Sequence, residues 1–371
     1  MKNKIIFIII IGILIAAIVK LNAIEFTPLV NSEGKTFAKA RVVQVVKDNI
    51  IEDGTRIGQQ DVIVKILSGH YKGQEFNAKS NSAYLYGANC IPGMKVMVSI
   101  NEHNGYYTVN VTGYYRAFAL YIIIGLFFVS LLIIGGKKGV LSVLGLIFTF
   151  AMILFVYLPM VYRGFSPFLA AVIASAATTA VTMFLVGGIT KKAVVAIIGT
   201  VVGVILAGIL AFIFCKMADI TGYNVSEIDE LMFIAQNTAI KPGELLFSGI
   251  LIASLGAVMD VAMTISSACE EIYHRNNTLS RKELFISGMN IGKDAMGTMS
   301  NTLILAFAGT SVNTIVTLYA YNYQYIYIAN LLSIGIEIIQ GIAGSMAIVY
   351  TVPIVAFISS FVYTHKNNKL Q

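Results

Sequence analysis

Residues 117–134 read AFALYIIIGLFFVSLLII, eighteen consecutive positions without a charged side chain. An α-helix needs about 20 predominantly apolar residues to cross the hydrocarbon core of a bilayer. A stretch of this length and composition therefore predicts a membrane span rather than the core helix of a soluble domain.

Comparable stretches follow along the chain, and one precedes them near the N terminus. Residues 5–19 lie between Lys4 and Lys20 and belong to either a retained anchor or a signal peptide, the length favouring an anchor. The predicted fold class is an all-α membrane bundle of about eight transmembrane helices. The seven spans after the first are 117–134, 140–160, 168–186, 193–214, 245–268, 295–319 and 344–362.

Composition agrees with this class. Of the 371 residues, 57% are hydrophobic and only 12% are charged, whereas soluble domains carry about 25% charged residues. This excludes an ordinary water-soluble enzyme. The net charge of +7 fits the basic cytoplasmic loops of a membrane protein, and we expect no nucleic-acid partner.

Missing motifs narrow the function further. The sequence has no P-loop and no H-E-x-x-H pattern, which argues against an ATP-driven pump in one chain and against a zincin-type protease. Cys90, Cys215 and Cys269 are far apart, so neither a disulfide framework nor a zinc site is encoded. We expect no enzyme activity, no cofactor and no metal site.

Residues 24–113 have a different character, with ordinary charge density and period-two apolar alternation. Asp53-Gly54 and Asn104-Gly105 are typical hairpin turns. Short antiparallel strands remove their exposed edges by closing into a barrel, so we predict a small OB-like β-barrel. The predicted strands are 40–46, 61–67, 93–100 and 106–111.

Lys and Arg residues near the span ends predict the orientation. Twelve fall on the side that the N terminus would occupy and three on the other, and an excess of these residues marks the cytoplasmic side. We therefore predict that both termini are cytoplasmic and that residues 24–113 are extracytoplasmic. The twelve are Lys2, Lys4, Lys137, Lys138, Lys191, Lys192, Arg275, Arg281, Lys282, Lys293, Lys366 and Lys369; the three are Arg163, Lys216 and Lys241.

The predicted regions are an N-terminal anchor or uncleaved signal over 1–23, the barrel over 24–113, the bundle over 114–363 and a tail over 364–371. Within the bundle, the acidic connection 222–243 predicts a short surface helix. Residues 326–342 are apolar but interrupted by polar side chains, so this segment is either interfacial or re-entrant.

Asp260 lies well inside the span 245–268. A carboxylate at such depth costs about 2.5–3.5 kcal/mol and needs a polar partner, water or a proton. Helical spacing places it on a stripe with Gly256, Thr264, Ser267 and Glu271. Two interpretations stay open: an acid hydrogen-bonded for packing alone, or a proton or cation site that changes charge during transport.

A second polar stripe follows on the next predicted helix and is composed of Asn290, Asp294, Thr298, Asn301 and Thr302. Facing the first stripe, it would form a polar seam through an apolar bundle. Asp294 is either part of a proton relay or a cap at the start of its helix. Glu337 either lines the same cavity or lies at the outer interface.

Glycines accompany these stripes. Gly199 and Gly203 form a G-x-x-x-G pair in a span without charged side chains, which predicts close helix packing. Gly256, Gly288 and Gly292 have the same predicted role beside the two aspartates.

The residues GAVMDVAM at 256–263 and SGMNIGKDAMGTMSNTLILA at 287–306 resemble the YibE/F family of bacterial multi-pass membrane proteins, from about residue 139 to 362. At position 293 this chain has Lys where the family prefers Arg. The resemblance implies a membrane or transport protein of the bacterial cell membrane. A more local similarity, to the proton-relay helices of the RND superfamily, implies that Asp260 accepts a proton with Thr298, Asn301 and Thr302 as polar neighbours.

Two functions remain. The first is a transporter or permease of an unknown small-molecule or ion substrate, coupled to protons or ions through Asp260. The second is a receptor or assembly factor that transports nothing, whose barrel binds an envelope protein. In both, the lipid bilayer is a partner.

Overall fold

The computed structural model describes residues 20–23, 29, 34–52, 54, 56–81, 87–103, 105–225 and 227–364. The predicted anchor segment 5–19 lies outside these residues, as does the predicted tail after Thr364. The chain divides into two compact units, Phe26–Ser130 and a unit made of Met1–Glu25 with Leu131–Gln371.

The smaller unit contains a closed five-stranded barrel, which confirms the prediction of a small β-barrel. Its strand order is β1-β2-β3-β5-β4, with β4 pairing back to β1. All neighbouring strands are antiparallel except β3 and β5. The strands are β1 Lys35–Lys47, β2 Gln59–Ile66, β3 Glu75–Asn81, β4 Lys95–His103 and β5 Tyr106–Tyr114.

Alternation along the strands builds the barrel core. Val62, Val64 and Ile66 on β2 are buried while the residues between them are more exposed, as a period-two strand with one apolar face requires. β1 is long enough to pair with both β2 and β4, and irregularities after Val42 and Val45 bend it between the two partners.

A buried glutamine joins two loops of the barrel. Gln60 is fully buried; its Nε2 donates to Asp48 Oδ1 at 2.8 Å and to Cys90 O at 3.3 Å, and its Oε1 accepts from Cys90 N at 2.7 Å. The hydrogen bond from Gln60, together with those from the Asn49 amide and Arg56, holds the pKa of Asp48 below its ordinary value.

We predict that Gln60→Leu destabilises the barrel by about 1–3 kcal/mol, because it leaves buried polar groups of Cys90 without partners. Amide hydrogen exchange of β2 in the full-length protein measures the loss of protection. Gln59→Leu, at the exposed neighbouring position, is the matched control. Equal protection in the two variants would contradict the assigned role.

The larger unit is a helical bundle, and the helix that follows the barrel begins at Ala117, within the smaller unit. A π-helical turn, Ile153–Tyr157, joins α1 to α2, and a 3₁₀ turn, Pro242–Glu244, precedes α6. The helices are α1 Ala117–Met152, α2 Leu158–Tyr162, α3 Pro167–Gly187, α4 Lys191–Met217, α5 Ile228–Asn237, α6 Leu245–Arg275, α7 Arg281–Thr310, α8 Val312–Ala320, α9 Tyr325–Ala329 and α10 Leu332–Thr364.

Five helical segments of the described chain are long and apolar enough to cross a membrane. A sixth candidate is the pair α7 and α8, which is bent by 62° and carries the predicted span 295–319. The predicted surface helix is α5, with Asp229 and Glu230 in its first turn. The five segments are Ala117–Tyr162, Pro167–Gly187, Lys191–Met217, Pro242–Arg275 and Leu332–Thr364.

The first segment covers two predicted spans, 117–134 and 140–160. A straight helix of its 46 residues would be about 69 Å long, more than twice the hydrocarbon thickness. Gly136 interrupts it with φ 53° and ψ −129°. A Cβ on Gly139 would lie 2.0 Å from Leu131 O, although a straight helix separates residues eight apart by about 12 Å. The chain therefore bends sharply between the two predicted spans.

The segment 326–342 is not separated from the predicted span that follows it. Residues from Leu332 onward belong to α10 and continue without interruption into the predicted span 344–362. The only break in this segment lies between Ala329, where α9 ends, and Leu332, where α10 begins. The polar residues at 333, 337 and 340 therefore lie on a long regular helix.

Glycines bring α4, α6, α7 and α10 into close contact. A Cβ on Gly203 would lie 2.2 Å from Thr351 Oγ1 on α10 and 2.7 Å from Val258 Cγ1 on α6. A Cβ on Gly199 would lie 2.2 Å from Val355 Cγ2. These distances are too short for any side chain, so small residues set the helix separation.

Gly288 and Gly292 likewise allow α7 to pack closely against its neighbours. Their Cβ atoms would lie 2.9 Å from Cys269 Sγ on α6 and 2.3 Å from Val352 Cγ1 on α10, respectively. The two positions are buried.

Two alanine substitutions on α7 should have opposite effects. Gly292→Ala overpacks the contact with Val352 and should destabilise the bundle by about 1–3 kcal/mol. Gly297→Ala meets nothing within 4 Å and should stabilise the helix by roughly 0.5–1 kcal/mol. Thermal unfolding with a thiol-reactive fluorophore measures both, because the three cysteines are free and buried. A lower melting midpoint for Gly297→Ala than for Gly292→Ala would be inconsistent with this packing.

Candidate functional site

Asp260 lies in the middle of α6, on a face that the bundle does not cover. The residue is exposed, and its carboxylate has no hydrogen bond or ion pair to any residue that the structure describes. The buried stripe of the same helix is Val258, Val261 and Ile265. At 100° per residue, Asp260 lies about 140° around the helix from Ile265.

The rest of the predicted α6 stripe shares this exposure. Gly256, Thr264 and Glu271 are exposed, and Ser267 is half-buried. Gly256 also differs from the other predicted packing glycines, because nothing lies within 4 Å of its Cβ position. Within one chain it therefore packs no helix, contrary to its predicted role.

The predicted α7 stripe is exposed along its whole length. Asn290, Asp294, Thr298, Asn301 and Thr302 all lie on the surface of the described chain. Thr298 Oγ1 donates to the Asp294 carbonyl at 3.4 Å, and Thr302 Oγ1 to the Thr298 carbonyl at 2.9 Å. These hydroxyl protons point to the backbone of their own helix.

Asp294 is not a helix cap, which corrects one of its two interpretations. α7 begins at Arg281, thirteen residues earlier. Its cap is Ser280, whose Oγ accepts from Glu283 N while its own amide donates to Glu283 Oε2 at 2.8 Å. Because Asp294 lies more than three turns inside the helix, no free N-terminal amide is within its reach.

The contacts between α6 and α7 give the relative depth of the two aspartates. Gly288 meets Cys269, and Gly292 meets Ile265, so the helices run antiparallel in a constant register. If the same pairing continues along the two helices, Asp260 of α6 lies at the same depth as Gly297 of α7. The two aspartates therefore differ in depth by about one helical turn, or roughly 5 Å.

Both stripes lie outside the contact between α6 and α7, where Ile265 and Cys269 meet Gly292 and Gly288. α10 packs against α6 at Ser254 and against α7 at Gly292. The two aspartates and their polar neighbours are exposed in the described chain. They do not face each other across a buried seam as predicted, because apolar residues and glycines occupy the contact itself. We call this surface the polar face; it consists of Gly256, Asp260 and Thr264 on α6 with Asp294, Thr298 and Asn301 on α7.

The polar face can hold a proton or a hydrated cation. It has two carboxylates at neighbouring depths, flanked by hydroxyl and amide groups that accept and donate hydrogen bonds. Among the residues described, no group of three or more His, Cys, Asp or Glu side chains could hold a metal ion.

Glu337 does not belong to the polar face. It lines a separate cavity with Phe307 of α7 and Ser311, the residue between α7 and α8. Phe307 lies ten residues beyond the level of Asp260 on α7, about 15 Å along the axis. Sequence reasoning missed Ser311; the signal was Gly309-Thr310-Ser311, a typical helix stop and restart inside an apolar run.

A family model described as YibE/F-like protein matches residues 123–365. No curated protein and no solved structure matches the chain.

We predict that the polar face is accessible to water. Thr264→Cys and Thr298→Cys should react with a membrane-impermeant maleimide in intact vesicles, because a hydrated thiol ionises and its thiolate adds to the maleimide double bond. Phe357→Cys is the control, since Phe357 is 63% exposed on α10 but apolar. The native cysteines are buried, so mass spectrometry has a low background. Equal labelling at all three positions, or none at positions 264 and 298, would exclude a hydrated polar face.

Proposed function

Because the chain belongs to the YibE/F family, we propose that it is a multi-pass transporter of the bacterial cell membrane, coupled to protons or cations through Asp260. The observation that carries this proposal is the polar face. Asp260 lies halfway along a candidate span with no partner in the described chain, where lipid would impose a cost of about 2.5–3.5 kcal/mol. Water and a mobile counter-charge remove that cost.

The distribution of acids supports this assignment. From residue 117 through 214 the sequence contains no Asp or Glu. Acids inside the candidate spans are confined to the later helices, and two of them share the polar face. A structural scaffold has no need of paired intramembrane carboxylates, whereas proton and ion pathways are built from them.

We further propose a direction for the pathway. Ser267 and Glu271 continue the α6 stripe toward the end of the bundle where Lys192 and Glu270 lie 3.4 Å apart. Ser266 Oγ donates to the Lys192 carbonyl at that end. By the positive-inside rule this basic end is cytoplasmic, which makes the barrel extracytoplasmic and both termini cytoplasmic.

In the transport cycle, protonated Asp260 is neutral and is tolerated at low dielectric. Deprotonated Asp260 requires water or a cation. Thr264, Thr298 and Asn301 supply the surrounding hydrogen-bonding groups. The neutral and the charged forms of Asp260 would therefore favour two different conformations, one with the polar face covered by apolar groups and one with it open to water. Alternating access needs such a two-state element. The substrate is a small molecule or ion.

A second candidate function is a receptor or assembly factor that binds an envelope protein. A surface cleft of the barrel favours this second function. The cleft has a volume of about 400 Å³, lies between β3 and β5 and is lined by Tyr107 and Asn110. The ring of Tyr107 contacts the rings of Tyr71 and Phe76. Aromatic clusters are common at protein interfaces. This function predicts crosslinks concentrated on residues 36–113 and full tolerance of Asp260→Ala.

The transporter proposal predicts that Asp260→Asn abolishes proton or sodium uptake driven by a membrane potential into proteoliposomes. Asparagine has the same shape but cannot change its charge. Asp229→Asn, on the surface helix α5, should keep the wild-type rate. A pH-sensitive dye and a sodium-sensitive dye report the two ions in parallel.

Equal uptake by wild type and Asp260→Asn would reject the coupling role of Asp260. Uptake of both ions no faster than in protein-free vesicles would reject the transporter. Size-exclusion profiles of the reconstituted variants verify that each is inserted and folded.

A further inference from the structure

Five tyrosines stand at every second position from the end of α8 into α9. They are Tyr319, Tyr321, Tyr323, Tyr325 and Tyr327. All five are exposed, and the exposed fraction ranges from 42% to 87%. We call residues 312–329 the tyrosine segment; it consists of α8, the turn after it and α9. So many exposed rings on one short segment indicate a surface that something covers.

The pairing of α6 with α7 gives the depth at which this segment begins. Continued from the contacts at Gly288 and Gly292, it places Leu245, the first residue of α6, level with Val312, the first residue of α8. Lys241, four residues before Leu245, is exposed, and a charged residue next to a span marks the edge of the hydrocarbon core. The bend between α7 and α8 therefore lies at the same edge.

The length of α7 leads to the same depth. Asp260 is the middle residue of α6 and lies level with Gly297, and Ser311 at the bend comes fourteen residues after Gly297. Fourteen residues of helix measure about 21 Å, whereas half of the hydrocarbon core measures about 15 Å. Even with α7 tilted by about 40°, the upper end of the usual range, about 16 Å remains. The bend is therefore in the head-group layer.

The 62° bend turns α8 away from the axis of α7, and the turn after α8 keeps α9 close to it. Asn322 takes a left-handed conformation with φ 50°, which ends α8. The ring of Tyr323 then contacts the rings of Tyr321 and Tyr327, with centroids 5.7 and 4.7 Å apart. The segment thus forms a short hairpin of two helices at the edge of the bundle.

The hairpin has an inner and an outer side. Leu318 on α8 is only 9% exposed, and together with Ile328 on α9 it lines the cavity above Ile338 of α10. Tyr321 and Tyr325 lie outside this cavity and are 67% and 82% exposed. The bundle therefore holds the hairpin on one side and leaves these rings uncovered on the other.

The chemistry of the segment matches phospholipid head groups better than water or acyl chains. From residue 295 through 336 the sequence has no Asp, Glu, Lys or Arg, although connections in water are rich in such residues. Tyrosine has an apolar ring and a polar tip, and it is enriched at membrane–water interfaces. Its hydroxyl can donate to phosphate and ester oxygens, and its ring face attracts the ammonium groups of lipids.

We propose that the tyrosine segment lies in the phospholipid head-group layer, with its exposed rings among the head groups. The predicted span 295–319 then ends at the bend, and its last residues lie along the membrane surface. That this surface is the extracytoplasmic one rests on the proposed orientation, whereas the contact with lipid does not. The segment is separate from the polar face, and its test requires no transport.

Tryptophan fluorescence tests the depth, because the sequence contains no tryptophan and each substitution supplies a single reporter. Tyr325→Trp places it in the segment. Tyr106→Trp, on β5, is the control for water, since Tyr106 is 81% exposed and so matches Tyr325. Tyr350→Trp, on α10, is the control for the hydrocarbon core: the next residue, Thr351, and Val258 of α6 both lie against Gly203, which places Tyr350 near the depth of Asp260.

Each variant is reconstituted as the full chain into phosphatidylcholine vesicles whose acyl chains carry bromine either near the head group or near the chain end. Iodide is the quencher in water. Tyr325→Trp should lose more fluorescence to bromine near the head group than to bromine near the chain end. Tyr350→Trp should show the reverse order, and Tyr106→Trp should respond to iodide alone.

Three results would overturn the proposal. Quenching of Tyr325→Trp by iodide alone would place the rings in water, and strongest quenching by bromine at the chain end would place them in the hydrocarbon core. Protection from all three quenchers would show that protein, such as a second copy of the chain, covers the segment. Tyr321→Trp repeats the measurement if Tyr325→Trp gives no single size-exclusion peak.

Discussion

Close packing at glycine positions is the constraint on which the larger unit depends. Gly203 and Gly292 meet side chains of α10 at distances that exclude a Cβ. Without a strong hydrophobic force between helices in lipid, such close van der Waals contact is the main source of helix association. The interior built this way has no room for a carboxylate with its hydration shell. Asp260 and Asp294 are therefore placed on the uncovered side of α6 and α7.

The same constraint explains why the bundle has an exposed polar face and a separate apolar cavity. Where glycines and alanines fill the contact between helices, polar groups move to the surface and form the polar face. Where α7 ends at Ser311 and the chain bends, the packing opens and leaves the cavity that Glu337 and Ser311 line. The first is exposed and polar, and the second is compact and almost entirely apolar. Each follows from how closely the neighbouring backbones approach.

Much of the architecture was predictable, because its causes are local. Period-two alternation with turn residues identified the barrel, and the length of the apolar runs identified the helices. The break at Gly136 falls between two predicted spans, next to Lys137 and Lys138. The continuity of α10 through residues 332–344 was not predicted. Isolated polar residues such as Glu337 interrupt an apolar pattern without interrupting a helix, and the two situations look alike in a sequence.

The sequence by itself determined the membrane class of the protein, the barrel, the family and the identity of the two polar stripes, since composition and helical spacing depend on neighbouring residues alone. Only the tertiary structure decided which way the stripes point and which residues share a cavity. Asp260 turns away from the bundle because Val258 and Ile265 contact α4 and α7. Glu337 and Ser311 line one cavity because two distant helices come together at a bend. Packing between remote segments sets these relations, and spacing along one helix holds no information about its neighbours.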